Sequence, residues 1–245
     1  MSEAARFLSE VQKNIEGLGS DGTVRQATLD WIGAIAPHKY TYNFTWLGRP
    51  IIQFPQDLAA LQEIIWVTQP NLIIETGIAH GGSLIFHASM LHLLGNQGRV
   101  LGVDIDIRDH NRLEIESHPM FEHIDMIQGS SIEDDVAARV AEAAAKAGQV
   151  MVILDSNHTH DHVLSELEIY APLVTKGCYL VVFDTLIEDM PEGSFPDRPW
   201  DKGDNPRTAV DAFLGKTNRF EVDTAMDAKL QISVAPGGYL KCVAD

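Results

Sequence analysis

Five short runs of consecutive apolar residues punctuate the chain: Leu72–Glu75, Val100–Ile105, Ile124–Gln128, Val150–Leu154 and Tyr179–Phe183. Each is rich in Val, Ile and Leu and is continuous rather than alternating. Strands buried on both faces of a parallel sheet read this way. Between them the spacing predicts helices near 83–94, 132–147 and 159–173. The second of these, IEDDVAARVAEAAAKA, is Ala-rich and acidic in its first turn, as helix propensity and the helix dipole favour. Alternating strands and helices predict a doubly wound, Rossmann-like α/β sheet. Such sheets bind ligands beyond the carboxyl ends of their strands, so the residues after each run are the place to look for chemistry.

The flanks read differently. Residues 1–70 look largely helical, with an aromatic loop, YTYNFTWLGRPIIQFPQD, at 40–57. This predicts a helical and aromatic extension over 1–55 that covers the site, ahead of a main domain over 56–245. Residues 186–206 hold Pro191, Pro196, Pro199, Pro206, Gly193, Gly203 and Trp200. An irregular stretch of that length suits a lid or binding loop. At the end of the chain, QISVAP and GYLKCV flank Gly237-Gly238, a spacing that predicts an antiparallel hairpin at the sheet edge.

Composition adds exclusions. The 245 residues are 45% hydrophobic and 22% charged, an ordinary globular balance. No apolar run approaches the ~18 residues of a membrane span, and MSEAARFLSE lacks a secretory layout. Two cysteines suggest a reducing compartment, hence a cytoplasmic protein. The net charge of −17 repels a polyanion, so nucleic acid is an unfavoured partner. It also leaves carboxylates free to hold a cation.

After the first run comes Glu75-Thr76-Gly77-Ile78-Ala79-His80-Gly81-Gly82-Ser83, then a helix. Glycines allow a sharp turn and a close backbone approach, and a helix start offers free N–H groups. A nucleoside-triphosphate loop requires a Lys where Ser83 stands, and the dinucleotide pattern fails at Ala79. The remaining pattern, E-x-G-x-x-x-G-G-S, suits a cofactor without a pyrophosphate. S-adenosylmethionine fits, because its zwitterionic amino-acid end can use both an acid and loop amides. Glu75, Gly77, His80, Gly81, Gly82 and Ser83 are the candidates on this turn. The second run ends in GVDID, where Asp104, with Asp106 close behind, stands where an acid meets ribose hydroxyls. The third ends in Gly129-Ser130-Ser131, placed to meet an adenine edge.

The fourth run ends in Asp155-Ser156-Asn157-His158 and the fifth in Phe183-Asp184-Thr185. Neighbouring strand ends bring Asp155 and Asp184 within reach of one ion, and two carboxylates with water suit Mg²⁺. Either Asp also suits a helix cap. His158 lies three residues beyond Asp155 and suits a general base. His160 and His162 read as helix-surface residues. With His158 they suggest a metallo-hydrolase or two-histidine iron site, but His158-x-His160-Asp161-His162 is one residue short of the hydrolase pattern. His123-Ile124-Asp125 reads as structural.

Taken together, ETGIAHGGS, GVDID, LDSNHT, VVFDT and DMPEGSFPDRPWDKGDNPRTAV resemble the cephalosporin hydroxylase-like family, over roughly residues 40–243. Its relatives include macrolide-sugar and rhamnosyl O-methyltransferases. The resemblance implies the S-adenosylmethionine-dependent methyltransferase fold, strand order 3-2-1-4-5-7-6 with the last strand antiparallel. It also implies a Mg²⁺ that chelates the acceptor, a histidine base and a homo-oligomer. Residue by residue, Asp155 and Asp184 match metal aspartates and His158 the base. Phe183 departs from the pattern, since several relatives carry Glu there. The implied reaction is O-methyl transfer to a sugar-like or vicinal-diol hydroxyl of a small molecule or glycan, in natural-product or polysaccharide biosynthesis. Trp200 is then placed to pack on a sugar face and Arg207 to bind an anionic substituent. An iron-dependent hydroxylase and a non-catalytic cofactor-binding protein remain as alternatives.

Overall fold

Seven strands build one sheet: β1 (Leu72–Thr76), β2 (Arg99–Asp104), β3 (Ile124–Gln128), β4 (Val150–Leu154), β5 (Tyr179–Val182), β6 (Phe220–Val222) and β7 (Tyr239–Cys242). Their spatial order is β3-β2-β1-β4-β5-β7-β6, as the resemblance implied. β1 to β5 pair in parallel, and β7 is antiparallel to both β5 and β6. The structure, a computed structural model, describes residues 2–245.

The continuous apolar runs arise because helices cover both faces. Successive side chains of a strand point to opposite sides. Leu72 and Ile74 of β1, with Val150, Val152 and Leu154 of β4, join Val140, Leu167 and Val210 in one core. Ile73, Met151 and Ile153 face the other way and meet Leu61, Ile64, Leu84 and Leu91. The first core lies under helices Asp134–Ala144, His160–Tyr170 and Pro206–Leu214. The second lies under Pro55–Thr68 and Gly82–Leu94. Among the described residues no helix is long and apolar enough to cross a membrane.

Two expectations about local structure are corrected. The aromatic stretch is not wholly loop: Phe44–Trp46 and Arg49–Ile51 pair as a short antiparallel hairpin. The predicted C-terminal hairpin does not form. Gln231 is left-handed at φ 57°, and the chain after it is held by side-chain bonds instead of a ladder. Ser233 Oγ and Val234 N–H donate to the Asp57 carboxylate at 2.6 and 2.9 Å, and Tyr239 Oη donates to it at 2.7 Å. β7 therefore lies inside the sheet, and β6 takes the edge.

A third apolar cluster joins the N-terminal region to the irregular stretch near 190. Ile32, Phe54 and Met190 are buried together, with Tyr40, Leu186 and Phe195 packed against them. Glu188 folds the irregular stretch back by accepting from Gly203 N (2.9 Å) and Asn205 Nδ2 (2.7 Å).

Asp57 is fully buried, and burial pushes its carboxyl up to about 6 despite the three hydrogen bonds. Asp57→Ala strands three donors while removing a costly charge. Each unsatisfied donor costs about 1–3 kcal/mol, so a net loss of about 2–4 kcal/mol is expected in chemical denaturation. An unchanged midpoint would show that the Asp57 bonds do not hold the 231–239 segment.

Candidate active site

β1 ends at the point where the strand order reverses, between β2 and β4, which is where doubly wound folds open a crevice. Gly77 follows β1 with φ +92°, and a Cβ there would lie 2.1 Å from the carbonyl oxygen of Asp155. Only glycine allows this contact. Gly82 plays a similar part against the hairpin, where a Cβ would lie 2.1 Å from the Pro50 carbonyl. Asp104 Oδ2 accepts from Ile78 N (2.7 Å) and Ala79 N (3.3 Å), and its Oδ1 accepts from Asp106 N (2.9 Å). Asp104 thus ties the turn to the end of β2. Arg49 donates to the His80 carbonyl at 2.6 Å, and Asn111 Nδ2 donates to the Ala79 carbonyl at 2.9 Å. Ala79 is left-handed at φ 46°, a strain of ~1–3 kcal/mol that these bonds sustain.

Above the turn lies a cavity of about 770 Å³, within the range of small-molecule sites. Gly77, His80, Gly82, Ser83, Asp104 and Asp106 line one side, with Asp155, His158 and Asp184 next to them. Ile32, Tyr40 and Phe54 of the N-terminal region and Phe195, Arg198 and Trp200 of the irregular stretch line the rest. Glu75 lies beneath the turn at 1% exposure, with neither carboxyl oxygen hydrogen-bonded. Burial, reinforced by the charge of Asp104, pushes it up to about 8. Its neighbour His87, 3.6 Å away, is pushed down to about 3 by burial. The contact is therefore between a neutral acid and a neutral imidazole, not an ion pair. An orphaned buried acid under the turn fits a ligand that brings an ammonium group.

At the tips of β4 and β5, ligand atoms of Asp155, His158 and Asp184 lie within 4.8 Å of one another. His158 Nε2 is 3.2 Å from Asp184 Oδ2. Asp184 itself is left-handed at φ 57°. Asp155 accepts from Gln53 Nε2 at 3.3 Å. Burial holds the Asp155 carboxyl well above its usual range, and repulsion from Asp184, Glu75, Glu166 and Asp57 adds to this. Crowded carboxylates with no Lys or Arg partner among the described residues suit a divalent cation, which removes their repulsion. Trp200 sets its ring edge-on to His158, centroids 4.7 Å apart at 83°.

A sequence profile of the rhamnosyl O-methyltransferase/CmcI family matches residues 38–243. The chain belongs to this family. It is 31% identical over 211 residues to a rhamnosyl O-methyltransferase of Mycobacterium leprae, covering 83% of this chain and 87% of that one. The Mycobacterium tuberculosis H37Rv rhamnosyl O-methyltransferase is 29% identical over 211 residues, at 83% and 82% coverage. Among solved structures, CmcI-D160 with Mg and SAM matches with TM-score 0.58 at 19% identity, covering 83% of this chain and 78% of that one. A Bacillus cereus O-methyltransferase in complex with SAH matches with TM-score 0.53 at 16% identity, at 82% and 83% coverage. These structural likenesses establish the methyltransferase fold. Membership in the rhamnosyl O-methyltransferase/CmcI family gives the chain its activity class, S-adenosylmethionine-dependent O-methyl transfer, as the sequence predicted.

Within this member of the rhamnosyl O-methyltransferase/CmcI family, several candidates fall elsewhere than expected. Gly81 packs on Ile115 and is not on the cavity wall. Gly129, Ser130 and Ser131 are also off it: Gly129 N bonds the Asp104 carbonyl, and Ser131 accepts from Tyr170 and faces His162. Arg207 does not reach the cavity. Its guanidinium is taken by Asp211 (3.2 Å) and the Pro236 carbonyl (3.1 Å). Arg198 is the lid arginine that lines the cavity, and Arg108 follows Asp106 there. The three histidines do not converge. His160 Nδ1 faces Thr208 (2.8 Å), and His162 faces Ser131, Ser156 and Glu166. Of that histidine cluster only His158 reaches the cavity, so the three do not build an iron site together. Phe183 is buried at 1% in the sheet core, so no third carboxylate stands there. Gln53 was missed, since nothing in QFPQD marks a residue that reaches Asp155.

Gly77→Ala forces a side chain into the Asp155 backbone at a left-handed position. Strain of ~1–3 kcal/mol translates to a roughly 5- to 150-fold weaker affinity for S-adenosylhomocysteine by calorimetry. Unchanged affinity would show that the turn does not shape the cofactor site.

Proposed function

We propose that the chain methylates a hydroxyl of a small sugar-like or vicinal-diol acceptor held beneath the 186–206 lid. The observation that carries this reading is the adjacency, on one cavity wall, of the glycine turn and the Asp155–His158–Asp184 cluster. The rhamnosyl relatives support the acceptor class, since rhamnose offers neighbouring hydroxyls. The donor, S-adenosylmethionine, supplies a methyl group on a sulfonium that leaves as a neutral thioether.

Glu75 and the turn at Gly77–Ser83 would hold the amino-acid end of the donor. Asp106 is the better ribose acceptor of the two aspartates, because Asp104 already serves three backbone N–H groups. Its carboxylate is 70% exposed with only Arg108 nearby at 3.9 Å. Asp155 and Asp184 would hold Mg²⁺, an ion that prefers oxygen ligands. An ion held by these two carboxylates would supply Lewis-acid activation that makes an acceptor hydroxyl easier to deprotonate. His158 takes that proton, and the Asp184 carboxylate stabilises the imidazolium. Trp200 packs against the His158 ring and carries the Arg198 guanidinium over its own ring, so a sugar would meet whatever ring surface these two leave open. Residues 32–54 of the 1–55 extension act with the lid as a cover that excludes water, since the cavity-lining side chains of the extension all fall in that stretch. Holding donor and acceptor in line accounts for much of the rate, since well-oriented pairs reach effective molarities of about 10⁵ M or more.

The test is transfer of a deuterated methyl group from labelled donor to rhamnosides, read by mass spectrometry with and without EDTA. Asp155→Ala is expected to abolish metal-dependent transfer while S-adenosylhomocysteine still binds. Turnover that ignores both the substitution and the chelator would remove the metal from the reaction. His158→Ala is expected to lower the rate by about 10²–10⁴. A loss of tenfold or less would reduce His158 to a positioning residue.

A further inference from the structure

A second group of metal-ligating side chains lies at the opposite, amino-terminal edge of the sheet. His92 sits in the last turn of helix Gly82–Leu94, while Glu122 and His123 close the turn Pro119–His123 just before β3. One ligand atom from each lies within 4.8 Å of the others. The sequence pairs His123 with Asp125, but Asp125 is engaged by Arg99, and His123 turns instead toward His92.

His92 and Glu122 are exposed and His123 is half-buried; three features set these groups up as ligands at this open edge. His92 Nδ1 and His123 Nε2 are 3.3 Å apart. Zinc–nitrogen bonds of about 2.0–2.1 Å at the tetrahedral angle set two ligand nitrogens about 3.4 Å apart. Next, His123 Nδ1 is 3.1 Å from the Gly98 carbonyl oxygen. A carbonyl only accepts, so Nδ1 carries the proton and Nε2 presents its lone pair, the tautomer that metal-binding histidines adopt through such a partner. Finally, Arg99 braces the segment, donating to the Glu122 carbonyl (3.0 Å) and the Asp125 carboxylate (2.7 Å). Glu122 Oε1 lies 3.7 Å from His123 Nε2. A histidine at a helix carboxyl end is favoured by the dipole alone. That explains the place of His92; in the ligand-free protein its Nδ1–H donates to the His123 Nε2 lone pair, the same lone pair that a metal would take.

We propose that His92, Glu122 and His123 form a second metal site that takes Zn²⁺, with water as the fourth ligand. Two imidazoles and one carboxylate suit zinc and disfavour magnesium. On binding, His92 shifts its proton from Nδ1 to the other ring nitrogen, and no net proton is released. The site clamps the far end of the helix whose first turn closes the glycine loop.

Calorimetric titration with Zn²⁺ tests this on wild type, on His92→Ala/His123→Ala and on Asp155→Ala/Asp184→Ala. The histidine variant is expected to lose one bound equivalent and keep its affinity for S-adenosylhomocysteine. The aspartate variant is expected to retain that equivalent. Imidazole NMR of the wild-type protein gives a second reading that needs no substitution: Zn²⁺, but not Mg²⁺, shifts the His92 and His123 signals. Equal zinc stoichiometry in wild type and the histidine variant, or unshifted His92 and His123 signals at saturating zinc, overturns the proposal.

Discussion

The contact between the backbones of Gly77 and Asp155 couples the two halves of the candidate site. β1 and β4 are neighbours, and their tips touch so closely that no side chain fits between them. Asp155 N donates to the Thr76 carbonyl at 2.9 Å, continuing the ladder past both strands. The glycine turn and the Asp155 carboxylate, to which the proposed function gives the donor and the ion, therefore share one rigid unit. Left-handed Ala79 and Asp184 stand on either side of it, each a strained position that a double-sided core can sustain. On the proposed function, the sheet itself would hold the reactants at a fixed separation.

Charge is the second constraint. Glu75, Asp104, Asp155 and Asp184 gather at the carboxyl edge of the sheet, with Asp57 and Glu166 buried behind them. Burial and mutual repulsion raise Glu75 and Asp155, and His87 is too deeply buried to supply a compensating charge. Ligands that carry positive charge relieve this repulsion, so the same groups that weaken the ligand-free protein favour a sulfonium, an ammonium or a divalent ion. Stability is thereby linked to occupancy of the cavity.

Much of this was legible in the sequence because it rests on local pattern. A continuous apolar run gave β4 to the residue, because that strand is buried on both faces; β3 has the expected bounds too, but it lies at the sheet edge with Asp125 and Gln128 exposed, so it is not buried on both faces. The residues after β1, β2, β4 and β5 were legible because ligands sit beyond the carboxyl ends of such strands, and the strand order that makes these tips adjoin is the one the family resemblance implied. What was not legible depends on side-chain reach between distant segments. Asp57 captures Ser233 and Val234 across 176 residues or more of chain, and this abolishes the hairpin that the glycine pair suggested. Arg207 and Arg198 both lie on or near the lid, and only the packing of helix Pro206–Leu214 against the 236–237 turn shows which of them faces away. Gly129-Ser130-Ser131 ends the right strand, but its polar groups are consumed by neighbours. His92 and His123 are 31 residues apart and meet only because a helix end and a turn fall at the same edge.

The central claim is that methyl donor and divalent ion occupy adjoining positions on one wall. Nuclear relaxation of ¹³C-methyl S-adenosylmethionine bound to the protein, titrated with paramagnetic Mn²⁺, measures that adjacency directly. The expected result is strong broadening of the bound methyl signal, lost in the Asp155→Ala/Asp184→Ala variant. A methyl signal untouched by saturating Mn²⁺ while the donor stays bound would contradict the account.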